Sequence, residues 1–153
     1  MRRSLALLAF SMLLLGGCGA EKSRKNLVIF HAGSLSMPVK ELAAAFMKDN
    51  PGVTVLTEAA GSLNTARKIT ELGKPCDIML SADHIVVSSM LIPEYASWNI
   101  RFATNEIVIA YQPESKYASI FREDNWANIL LRDDVIMGRA DPDADPCGYR
   151  TVF

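Results

Sequence analysis

The chain has 153 residues, a formal net charge of -1 and 22% charged residues, so it carries no basic footprint for nucleic acid. Half of the residues are hydrophobic, some of them in one run near the start, and the remainder suffices for one modest globular core. No internal repeat, low-complexity tract or second long apolar stretch is present.

The start of the chain addresses compartment. Met1-Arg2-Arg3 is basic, Leu5 to Leu15 is almost wholly apolar, and Gly16-Gly17-Cys18 follows. An apolar run of about a dozen residues before small residues predicts a secretory signal, since a spanning helix needs roughly 20. The phrase "LGGC" resembles a bacterial lipobox, which implies that Cys18 becomes the lipidated first residue of the mature protein. Residues 1–18 are therefore read as a lipoprotein signal and 19–26 as a polar tether. The expected location is the periplasmic or extracellular face of the cell membrane, held by a lipid anchor only. Cys76 and Cys147 lie far apart and lack CxxC spacing, so both are expected to be free and buried.

The elements then follow in order. "NLVIFHAG" reads as a buried strand running into a turn, and "SLSMPVKELAAAFMKDNPG" as a helix with Leu42, Ala43, Phe46 and Met47 at helical spacing. Pro38 fits only in its first turn, where the missing N–H has no partner to lose. "VTVLTEA" alternates like a strand. "GSLNTARKITELGKP" sets Leu63, Ala66, Ile69 and Leu72 on one helical face, with Gly73 and Pro75 as stop signals. "CDIML" is a third buried strand and "SAD" its exit. Strand, helix, strand, helix, strand predicts an α/β layer on a parallel sheet with right-handed crossovers. "RFATNEIVIAY" reads as a longer strand leading away, "NWANILLRDD" as a helix and "VIMG" as a short strand. A further helix begins at "DPCGYR".

Two corners repeat one phrase, "AGSL" at 32–35 and again at 60–63. In a parallel α/β sheet the strand-to-helix turns gather at one edge, where ligands bind. Gly33-Ser34 and Gly61-Ser62 would offer free backbone N–H groups, hydroxyl donors and helix-dipole charge to one anion. Two unrelated serine helix caps explain the same phrases. No GxxxxGK[ST] is present, which argues against a nucleotide phosphate. No GxSxG surrounds either serine, and neither His31 nor His84 has an acidic partner at catalytic spacing. His31 reads as a packed histidine and His84 as a surface one. Asp145 before Pro146 is likewise either a helix cap or a ligand-facing carboxylate.

Taken together, "FHAGSLSMPVKELAAAF", "EAAGSLNTARKITELGKPCDIMLSAD", "LIPEYASWNIRFATNEIVIAY" and "GRADPDADPCGYRT" closely resemble the substrate-binding component of tungstate/molybdate ABC transporters. The resemblance runs from about residue 27 to the end. It implies the type II periplasmic-binding-protein fold, an α/β fold whose two lobes clasp an oxyanion. On that reading 27–101 is the first lobe, 102–111 the crossing or hinge strand, and 112–153 the start of a second lobe that is incomplete in a truncated chain. The implied oxyanion-binding residues are Ser34, Ser62 and Asp145. Asp145 matches a carboxylate that approaches the tungsten or molybdenum centre in some members. Weaker candidates are Gly33, Gly61, Asp141, Cys147, Gly148 and Tyr149, and Asp143 is expected to face solvent.

The function implied is capture of tungstate or molybdate by a monomer without catalysis or cofactor, and delivery to an ABC permease. The rivals are a binding protein for sulfate or another small anion, and an exported serine hydrolase.

Overall fold

A computed structural model describes residues 25–152. The expected signal, Cys18 and residues 19–24 of the expected tether lie outside the described residues.

Strand β1 spans Lys25–Ala32. Lys25 and Asn26, read from sequence as tether, belong to it and pair with Val53 and Thr54. Strand β2, Val53–Ala60, lies parallel on one side of β1, and β3, Ile78–Leu80, lies parallel on the other. A strand covered on both edges and both faces carries a near-continuous apolar run, which is why "LVIF" does not alternate. Its end is the best buried part: Phe30, His31 and Ala32 are all inside. His31 is a packed histidine, its Nδ1 2.8 Å from the Ala32 carbonyl oxygen.

Helix α1, Ser36–Asp49, follows a single 3-10 turn at Gly33–Leu35. Pro38 is its third residue, among the first four N–H positions that have no intrahelical acceptor. The face turned inward is Val39 and Ala43, with Met47 half-buried one turn on. Leu42, placed on the buried stripe by spacing, is 66% exposed. Several rotations of an apolar-rich helix satisfy its periodicity, and contact with β1 and β2 selects one.

Helix α2, Ser62–Thr70, packs on all three strands. Ala66 is fully buried beside Val86 and Leu91, and Leu63 and Ile69 pack against this cluster. Beyond the helix, Gly73 holds φ +59°, a left-handed conformation that glycine adopts without the Cβ clash and that ends helices.

Sequence reading missed helix α3, His84–Met90, which supplies Val86 to the core. Two strands read from sequence are not formed. Residues 101–110 and 135–138 carry no ladder, and the described sheet has three strands only. The apolar spacing of "RFATNEIVIAY" suits a strand, but a strand exists only where a neighbour takes its backbone groups. Ile107, Val108 and Ile109 are accordingly exposed. Helices α4, Trp126–Leu130, and α5, Pro146–Arg150, are short pieces of the predicted helical stretches.

The sheet order is β2-β1-β3. The chain builds outward from the centre to one edge, then crosses to the other. Because the strands are parallel, their C-terminal ends share one side of the sheet, and the reversal of order opens a crevice there.

Candidate functional site

Three strand-to-helix turns meet at that side: Gly33-Ser34 after β1, Gly61-Ser62 after β2 and Ser81-Ala82-Asp83 after β3. An open cleft of about 1250 Å³ lies over them. Gly33, Ser34, Gly61, Ser81, Ala82 and Asp83 line it from the sheet edge. The irregular stretch 97–108 lines it from the side, and Asp145, Pro146, Cys147 and Arg150 bring α5 to the same space. The duplicated corners and the "DPC" corner therefore converge, although more than 80 positions of sequence separate Gly61 from Asp145.

Close backbone contact holds α5 there. A Cβ on Gly61 would stand 2.3 Å from the carbonyl oxygen of Ala144, and one on Gly148 would stand 2.4 Å from the Asp141 carbonyl. No side chain fits at either place. Asn64 N–H donates to Ala144 O at 3.4 Å and Arg67 Nη1 to Asp143 O at 2.8 Å.

The two serines differ. Ser34 is exposed on the cleft wall. Ser62 is fully buried behind Gly61, and its Oγ accepts the Ala82 N–H at 3.0 Å, tying the second turn to the third. Neither serine caps its helix through its side chain. Neither histidine ring bonds to Ser34 or Ser62. Arginine can only donate, so His84 Nε2 accepts from Arg101 Nη2 at 2.6 Å and its ring proton sits on Nδ1, 3.4 Å from Asp83 Oδ1.

Asp145 is the N-cap of α5, its Oδ1 accepting the Cys147 N–H at 2.9 Å, with Pro146 in the first turn. No described donor reaches its second oxygen, and the residue lines the cleft. Cap and cleft position thus coexist. Asp141 closes a local turn, accepting the Asp143 N–H on Oδ1, and Asp143 is exposed. Gly148 and Tyr149 do not line the cleft. Cys76 and Cys147 are free, as expected, but Cys147 is exposed on the cleft and Cys76 only half-buried. Burial pushes the Cys76 thiol up.

Sequence reading overlooked Asp83. It is 8% exposed, caps α3 by accepting the Ile85 N–H at 2.9 Å, and receives Tyr149 Oη and Arg150 Nη2 on Oδ2, each at 2.7 Å. Burial alone would raise its pKa. The bonds from Arg150, Ile85 and Tyr149 outweigh burial and hold it at about 2. Tyr149 responds in the opposite sense, pushed up to about 12 by burial and by the adjacent carboxylate. The signal was available: Asp83 closes the third strand-to-helix turn at the same edge as the two AGSL corners. Among the described residues, no cluster of His, Cys, Asp and Glu could hold a metal ion, and no helix is long and apolar enough to cross a membrane.

The sequence model of the family described as "Bacterial extracellular solute-binding protein" matches residues 27–153. A "Molybdate/tungstate-binding protein WtpA" of Pyrococcus abyssi is 44% identical over 98% of this chain and 46% of its own length. A protein of the same name from Thermococcus kodakarensis is 43% identical over 99% of this chain and 48% of its own. An "Uncharacterized solute-binding protein" of Petrotoga mobilis is 49% identical over 86% of this chain and 41% of its own. The chain spans less than half the length of these relatives.

Proposed function

The chain belongs to the bacterial extracellular solute-binding proteins, and from that premise we propose that it takes part in capturing tungstate or molybdate for an ABC transporter permease. One observation carries the reading: Ser34, Gly61 and Asp145 line a single cleft at the C-terminal edge of the parallel sheet. Backbone N–H groups and a hydroxyl can hold a fully deprotonated oxyanion, which needs no proton acceptor. Ser34 is assigned the direct hydroxyl contact, while Ser62 holds the neighbouring turn in place.

The free oxygen of Asp145 is assigned to the metal centre of the anion. Tungsten and molybdenum are large enough to expand from four to six oxygen ligands, and sulfur in sulfate is not. A carboxylate at this point would select against sulfate. The protein acts on this reading as an exported, lipid-anchored monomer in a two-lobe fold, without catalysis or a resident cofactor. The absence of any bond between a histidine and Ser34 or Ser62 weighs against the hydrolase reading.

The test is calorimetric titration of the protein expressed from its full reading frame with tungstate, molybdate and sulfate. Tungstate or molybdate should bind the more tightly; sulfate binding tighter than both would overturn the proposal. Asp145→Asn separates the two roles of that residue, because asparagine caps about as well as aspartate. Melting should be unchanged, while tungstate affinity falls and sulfate affinity does not. An Asn variant with unaltered selectivity would return Asp145 to a purely structural role.

A further inference from the structure

A cleft that takes a dianion should not present an uncompensated buried carboxylate, yet Asp83 is a nearly buried carboxylate in the cleft wall. What balances it comes from α5. Arg150 Nη2 and Nε both point at Asp83 Oδ2, at 2.7 and 3.3 Å, and Tyr149 adds a neutral donor to the same oxygen. Arg150 also lines the cleft, but two donors of its fork are committed to the carboxylate. The other cation lining the cleft, Arg101, is engaged by His84. Of the other cleft carboxylates, Asp77 accepts the Val28 N–H at 2.7 Å, Asp145 accepts the Cys147 N–H and Glu106 is exposed to solvent, so among the described residues Asp83 is the one that is both buried and paired with a full cation.

We propose that Arg150 is the charge-balancing residue of this cleft, and that by neutralising Asp83 it permits a dianion to bind beside that carboxylate. The inference rests on the anion reading above and adds to it a requirement that the proposed ligands do not meet. In a partly desolvated cleft a bare unit charge repels a dianion by enough to lower affinity about tenfold or more. Arg150 is then a positioning and neutralising group rather than a direct ligand.

The experiment is a charge-rescue cycle in the protein expressed from its full reading frame, titrated with tungstate. Arg150→Gln, which exposes the Asp83 charge, should weaken binding about tenfold or more, and adding Asp83→Asn should restore it to within about threefold of wild type. A double variant as weak as Arg150→Gln would mean that the guanidinium touches the anion itself, and it would overturn the inference. So would an Arg150→Gln variant that binds like wild type. Should Arg150→Gln fail to fold, Arg150→Lys keeps the cation without the fork and should bind within about threefold of wild type, whereas a loss of about tenfold would count against the proposal. Wild-type protein that binds no tungstate and no molybdate refutes the anion reading instead, so the two failures are distinguishable.

Discussion

Tyr149 donates its phenolic proton to Asp83 Oδ2 at 2.7 Å, joining two residues 66 positions apart. This bond ties the short helix carrying the "DPCGYR" corner to the turn after the last strand of the sheet. A five-residue helix has no stability of its own in water. It stands where it does because Asp83 bonds Tyr149 and Arg150, the Asp141 carbonyl packs on Gly148, and the Ala144 carbonyl just before the helix packs on Gly61.

Acid should release that tie. The folded pKa of Asp83, about 2, lies below its ordinary value of 3.8. The ionised form is therefore favoured by folding. Its contribution is complete above pH 3.8 and is lost as pH falls from there towards 2. Asp83→Asn keeps the cap on α3 and removes the charge. It should cost about 1–2 kcal/mol at pH 7, discounted because Arg150 is half-exposed to solvent. The gap between wild type and variant should narrow as acid is approached. Denaturant midpoints measured from pH 7 down to pH 3 test this, and a pH-independent gap would refute the assignment.

Alkali should act on the other end of the bond. Tyr149 is held up to about 12, so its neutral form is favoured by folding and its contribution is present below pH 10 and lost through pH 12. The chain has four tyrosines. In a phenolate absorbance titration, Tyr149→Phe should remove the component that ionises last. Loss of an ordinary component near pH 10 instead would place Tyr149 away from Asp83.

The glycines at the corner should be unequal. Gly61→Ala and Gly148→Ala each drive a Cβ into backbone that has no rotamer to yield, and should cost about 1–3 kcal/mol or more. A Cβ on Gly33 meets nothing within 4 Å, so Gly33→Ala should leave melting nearly unchanged. Equal thermal stability of all three variants would contradict the contact between α5 and the second turn.

The two serines should separate in the same way. Ser62→Ala strips the half-buried Ala82 N–H of its acceptor and empties a fully buried site, and should cost about 1–3 kcal/mol of stability. Ser34→Ala, on an exposed side chain, should leave stability within about 0.5 kcal/mol and reduce oxyanion affinity. The reverse pattern, with Ser34 mattering for melting and Ser62 for binding alone, would reassign their roles.

Periodicity and punctuation in the sequence were enough for the three parallel strands, α1, α2 and the capped start of α5, because each depends on local backbone preference and on apolar spacing that the core accepts. The paired AGSL corners were legible for the same reason. Strand ends in a parallel sheet have one place to go. Tertiary structure decided what local pattern leaves open. The stretch 101–111 has strand composition, but no described neighbour pairs with it, so it is not a strand. Ser34 and Ser62 sit in identical phrases, yet only packing buries one behind Gly61 and leaves the other on the cleft. The partners of Asp83 arrive from 66 and 67 positions away. No spacing rule reaches that far, because a buried carboxylate is paired by whatever the fold carries to it.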